Sequence, residues 1–137
     1  KSSAAGIYGD REKALAAAEQ KAANRLTEAE RKAAVKRAAQ MLAEKTAHFA
    51  KEMGVTYGRI TIREQKTRWG SCSSAGNLNY NWKLVLMPER VMDYVVIHEL
   101  AHRKEMNHSA RFYAVVAQQM PDYKVWQSWL KEHGREY

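Results

Sequence analysis

The hydrophobic period of this chain changes twice, at Gly54 and at Pro88, and that restricts the fold more than any other feature. Before Gly54, Val35, Ala38, Ala39, Leu42, Thr46, Phe49 and Met53 recur at helical spacing. Thr27 with Glu30 matches a capping box at the front of that stretch, and Gly54 is placed to end it. Further upstream, Asp10 can cap an Ala-rich helix carrying Leu15, Ala18, Ala22 and Leu26 on one stripe. After Gly54 the pattern alternates. Ile60 and Ile62 are separated by a polar residue, Trp69 follows, Leu78, Tyr80 and Trp82 alternate with asparagines, and Leu84-Val85-Leu86 closes the run. Ser73 to Asn77 is the clearest turn and the residues between Glu64 and Arg68 make a second, so neighbouring strands are expected to pair antiparallel.

Pro88 suits the first position of a new helix, with Glu89 favourable in its first turn. Ser109 can cap another helix running to Met120. Asp122 can cap a last one, carrying Tyr123, Val125, Trp126, Trp129 and Leu130 and ended by Gly134, with the two tryptophans as core anchors. The expectation is an α+β fold with N-terminal helices, a small antiparallel-rich sheet, a helix after Pro88 and C-terminal helices. Residues 1–9 read as a flexible lead-in, 10–53 as an N-terminal helical segment and 54–137 as the remainder. A chain of 137 residues packs these as one domain.

Charge narrows the partners less than its size suggests. The net charge is +8, yet the basic residues of the first half are interleaved with Glu, as on a solvated helix, and no block of like charge occurs. Nucleic-acid contact therefore stays an alternative rather than the leading reading. No apolar run approaches the roughly 20 residues that span a bilayer. The single cysteine, Cys72, cannot form an internal disulfide, and no secretory pattern is visible, so a cytoplasmic location is expected.

The chemistry concentrates in the helix after Pro88, where His98-Glu99-Leu100-Ala101-His102 forms an HExxH pattern. At 3.6 residues per turn His102 lies about 40° around the helix from His98, and Glu99 about 60° from His102, so all three side chains can address one point. Two imidazoles there can share a zinc ion, with Glu99 beside the water it activates. A catalytic zinc usually takes a third protein ligand. His108 stands ten residues after His98, and on an unbroken helix it would lie about 15 Å further along the axis. The helix must therefore end between them. Arg103 and Lys104 suit a helix C-terminus, Asn107 tolerates the left-handed conformation, and Ser109 starts the next helix. Ala110 to Met120 contains no His, Asp or Glu; Glu105 and Asp122 remain as other ligand candidates.

Thr67 to Ser74 (TRWGSCSS), Asn79-Tyr80-Asn81-Trp82, the HELAH run, Asn107-His108-Ser109 and Pro121-Asp122-Tyr123 together closely resemble the YgjP-like metal-dependent hydrolases. These are zincin-fold relatives of the SprT-like and M48-like peptidases. The resemblance implies a zincin-like fold and a Zn²⁺ site with His98, His102 and His108 as ligands and Glu99 as catalytic acid/base. It also implies an extended peptide or protein substrate added along Trp69, Gly70, Ser71, Cys72 and Ser73. The expected reaction is peptide hydrolysis by a zinc-activated water, with Glu99 carrying the proton to the leaving amine. Arg103 departs from the apolar residue common at that place, with an effect expected only at the helix surface. Arg68, Tyr94 and Tyr113 are candidates for oxyanion support. Cys72 reads as a buried strand thiol, or more sharply as a thiolate that could silence the metal. The rival reading is a non-catalytic, zinc-stabilised basic module that binds nucleic acid or a protein partner; a residue such as Glu99 beside the metal has no use in it.

Overall fold

The computed structural model describes residues 26–65 and 68–137; the expected helix after Asp10 lies outside the described residues. Helix α1 spans Glu28–Met53. Thr27 Oγ1 accepts from the Glu30 amide (3.1 Å) while Glu30 Oε1 accepts from the Thr27 amide (2.9 Å), so the capping box forms as expected. Gly54 ends the helix at φ 70°, a left-handed position that glycine takes without Cβ strain. Ala34, Ala38, Leu42, Thr46, Ala50 and Met53 form the buried stripe.

Three short strands follow: β1 (Ile60–Arg63), β2 (Gly70–Cys72) and β3 (Leu78–Asn81), in the order β1-β3-β2. The β2–β3 pair is antiparallel through the Ser73–Asn77 turn, with Gly70 opposite Tyr80 and Cys72 opposite Leu78. The β1–β3 pair is parallel, Ile60 facing Leu78, which corrects the expectation of antiparallel neighbours throughout. The reason is that β3 inserts between β1 and β2, so the segment after β1 carries the chain across to the far edge instead of closing a hairpin. Leu84-Val85-Leu86 is not strand either. Asn81 Oδ1 accepts from the Lys83 amide (3.0 Å) and turns Trp82–Leu86 into a 3-10 helix with Trp82 and Leu84 buried.

Helix α2 (Glu89–Ala101) begins directly after Pro88 and is buried along most of its length, lying against α1, β2, α3 (Ala110–Gln119) and α4 (Tyr123–His133). Lys45 of α1 donates to Glu89 and Asp93 of α2 (both 2.6 Å). Thr46 and the Tyr80 hydroxyl, both buried, meet at 3.0 Å. Ser109 caps α3, its Oγ accepting from the Phe112 amide (3.3 Å). Asp122 precedes α4 without capping it, because its carboxylate is taken by Arg90 (3.0 Å) and by Trp126 Nε1 (3.1 Å). Trp126 and Trp129 are half-buried against the core. No helix among the described residues is long and apolar enough to cross a membrane.

Candidate metal centre

The HELAH run sits in the last turn of α2, and His102 is the C-cap. The amides of Arg103 and Lys104 bond back to Leu100 and Ala101 (2.9 and 3.0 Å), and the chain then leaves the helix axis. This break brings His108 back over its predecessors. One ligand atom each from His98, His102 and His108 lies within 4.8 Å of the others, and Nε2 of His98 is 3.3 Å from Nε2 of His108.

The surroundings of the rings fit a cation. His98 is pushed down to about 4, chiefly by burial and then by His102 and His108, and burial also lowers His102. Both are thus neutral imidazoles with lone pairs to give. Nδ1 of His102 is 3.2 Å from the Glu105 carbonyl, which holds the proton there and leaves Nε2 free. Nδ1 of His98 is 3.3 Å from the Tyr94 hydroxyl. Phe112, fully buried, packs its ring 4.5–4.9 Å from all three imidazoles. Sequence reasoning missed Phe112 as the floor of the cluster; the signal was its place three residues after the Ser109 cap, pointing back at the helix junction.

Glu99 is 6% exposed and faces the same cleft, of about 480 Å³. Burial raises its pKa to about 7 while the Arg68 charge pulls the other way. Trp69, Gly70, Ser71 and Cys72 line the opposite wall. Ser73 stands outside it in the hairpin turn, its amide bonded to the Asn77 carbonyl (2.9 Å) and its Oγ accepting from the Asn77 amide (3.1 Å). Cys72 lines the cleft as a protonated thiol, its pKa raised by burial and by Glu99. Of the oxyanion candidates, Arg68 and Tyr94 line the cleft, whereas Tyr113 lies behind His108, stacked on Tyr123. Glu105 contributes its carbonyl to His102, and Asp122 is committed to Arg90 and Trp126. His48 pairs with Glu52 and His133 with Glu136, outside the cleft.

The family described as YgjP-like, metallopeptidase domain, matches residues 3–133. The chain belongs to the YgjP-like metallopeptidase family. Among solved structures, the fold of this YgjP-like protein is similar to that of the metallopeptidase zymogen of Pyrococcus abyssi abylysin. The two are 24% identical with a TM-score of 0.61, over 69% of this chain and 96% of that one. It is similar also to the metallopeptidase zymogen of Methanocaldococcus jannaschii jannalysin, at 18% identity and a TM-score of 0.58 over 66% and 94%. These likenesses bear out the α+β, zincin-like fold. No curated protein sequence matches the chain. Arg103 has a larger role than a surface change: Nε donates to the Thr56 carbonyl (2.8 Å) and Nη1 to the Ser74 carbonyl (3.2 Å), tying the β2–β3 turn to the end of α2.

Proposed function

We propose that this YgjP-like metallopeptidase is a zinc enzyme in which His98, His102 and His108 hold the ion and Glu99 carries the proton. The observation that supports this most is the convergence of three ligand atoms within 4.8 Å at the edge of a cleft that also holds a buried, unligated carboxylate. A site that only stabilised the fold has no use for such a carboxylate. Zinc bound there supplies the Lewis acidity that makes a water nucleophilic near neutral pH and polarises the scissile carbonyl.

The residues do the rest. Glu99 Oε atoms accept the proton of the attacking water and return it to the leaving amine nitrogen. Tyr94 and the Glu105 carbonyl hold the His98 and His102 rings in orientation. The substrate is a peptide in extended conformation, added to the free edge of β2 at Gly70, Ser71 and Cys72, with Trp69 at one end and Ser73 at the other. Gly70 lets Glu99 come close to this strand, since a side chain there would meet Val95 and Glu99. A lone cysteine cannot form an internal disulfide, which suits a reducing compartment, and we propose a cytoplasmic location.

Glu99→Gln tests the assignment because it keeps the shape and removes the proton acceptor. The variant should bind zinc like the parent and lose at least about 10²-fold in peptide hydrolysis. A Glu99→Gln protein that cleaves as fast as the parent contradicts it.

A further inference from the structure

Among the described residues that line the cleft, one strong cation makes no ion pair. Arg68 stands two residues before β2, and among the described residues its guanidinium makes no ion pair. Its backbone is nonetheless fixed. Asn81, 2% exposed, donates its side-chain amide to the carbonyls of Gln65 (2.9 Å) and Arg68 (3.4 Å), and the Asn81 amide donates to the Trp69 carbonyl (2.9 Å). A buried amide thus holds the backbone of Arg68 and Trp69 beside the cleft. Glu99, the one carboxylate among the described residues of the cleft wall, feels the Arg68 charge without a hydrogen bond between them, so the guanidinium fork keeps its donors for a ligand.

We propose that Arg68 is a specificity residue that selects peptide substrates bearing a carboxylate close to the scissile bond. This rests on the peptidase reading above. Planar, paired N–H donors match a carboxylate's two oxygens, and within a cleft such a charge-assisted pair is worth more than a neutral hydrogen bond. The chain's net charge of +8 draws acidic peptides toward it at long range. The carboxylate has two possible sources, an Asp or Glu side chain or the substrate's own C-terminus.

The test is a set of quenched fluorescent peptides of one sequence, with Gln replaced by Glu at each position near the cut, and each made with a free or an amidated C-terminus. KM and kcat are measured with the zinc-loaded parent, Arg68→Met and Arg68→Lys. The same peptides are titrated into zinc-loaded Glu99→Gln, alone and combined with Arg68→Met, so that selectivity is read as affinity even where nothing is cut. The parent should favour a carboxylate at one position by about 10- to 100-fold in KM or affinity. That ratio should fall to near one in Arg68→Met and be partly restored in Arg68→Lys. Preference for internal Glu assigns the side chain; preference for the free terminus assigns the terminal carboxylate. Equal handling of charged and neutral peptides by the parent overturns the proposal. So does an Arg68→Met protein that keeps the preference, or one that loses kcat alike on every peptide, which would make Arg68 a transition-state group. Absence of cleavage with intact, Arg68-dependent selection would instead strike the peptidase reading alone.

Discussion

Gly70→Ala is a small change with a calculable target. A Cβ on Gly70 would lie 3.0 Å from Val95 Cγ1, 3.1 Å from Glu99 Cγ and 3.2 Å from Glu99 Oε2. Carbon atoms rest at about 3.5–4.0 Å, so roughly half an ångström must be found. Val95 is 2% exposed, and α2 is held between α1, α3 and α4, so the helix cannot retreat. The Glu99 side chain and the edge strand β2 must yield. Overpacking of this kind costs about 1 kcal/mol, at the low end of the usual range. For a domain of this size that lowers Tm by about 4 °C. The larger effect falls on turnover: a misplacement of about 1 Å costs about 10²-fold, so half of that at Glu99 costs about tenfold in kcat. Zinc content should not change, because the three atoms nearest the new methyl group belong to Val95 and Glu99 and not to a histidine. Peptide turnover, thermal melting and metal analysis on one preparation read all three quantities. A Gly70→Ala enzyme with kcat within about twofold of the parent would refute the claim that this strand sets the position of the Glu99 carboxylate.

Arg103→Ala removes the donors to the Thr56 and Ser74 carbonyls and should cost about 1–2 kcal/mol, with amide exchange accelerating in the Ser73–Asn77 turn before it does in α1. Glu64 is held below its ordinary 4.5, first by the Trp82 indole N–H and then by Lys83 and Arg31. Its contribution to stability is therefore complete above about pH 4.5 and is lost as pH falls through the lowered value; Glu64→Gln should flatten acid melting curves in that window, and unchanged curves would remove Glu64 from the account.

Local signals were legible in the sequence because local chemistry decides them. Thr27 and Glu30, Gly54 and Ser109 mark helix ends by bonds made within one turn, and they stand where the residue types demand. The break between His102 and His108 could be inferred because a continuous helix would hold those rings apart. Parallel pairing of β1 with β3 could not, since it depends on which strand is inserted between two others. Trp82–Leu86 has the alternation of a strand, and only the Asn81 side chain, bonding two residues ahead, bends it into a 3-10 helix. Asp122 has the right type for a cap, yet Arg90 and Trp126 compete for its oxygens from other positions. Arg103 and Phe112 owe their roles to neighbours 29 or more residues away and to three rings gathered by the fold, neither of which spacing reveals.

The triad itself is tested most directly by zinc stoichiometry in the parent and in His108→Ala, each loaded with excess zinc and desalted. His108 is exposed and outside any helix, so its loss should leave the fold intact, as circular dichroism will show. The parent should retain about one equivalent of zinc and the variant far less, because two imidazoles hold the ion much more weakly than three. Equal zinc in both proteins, or none in the parent, would contradict a centre built from His98, His102 and His108.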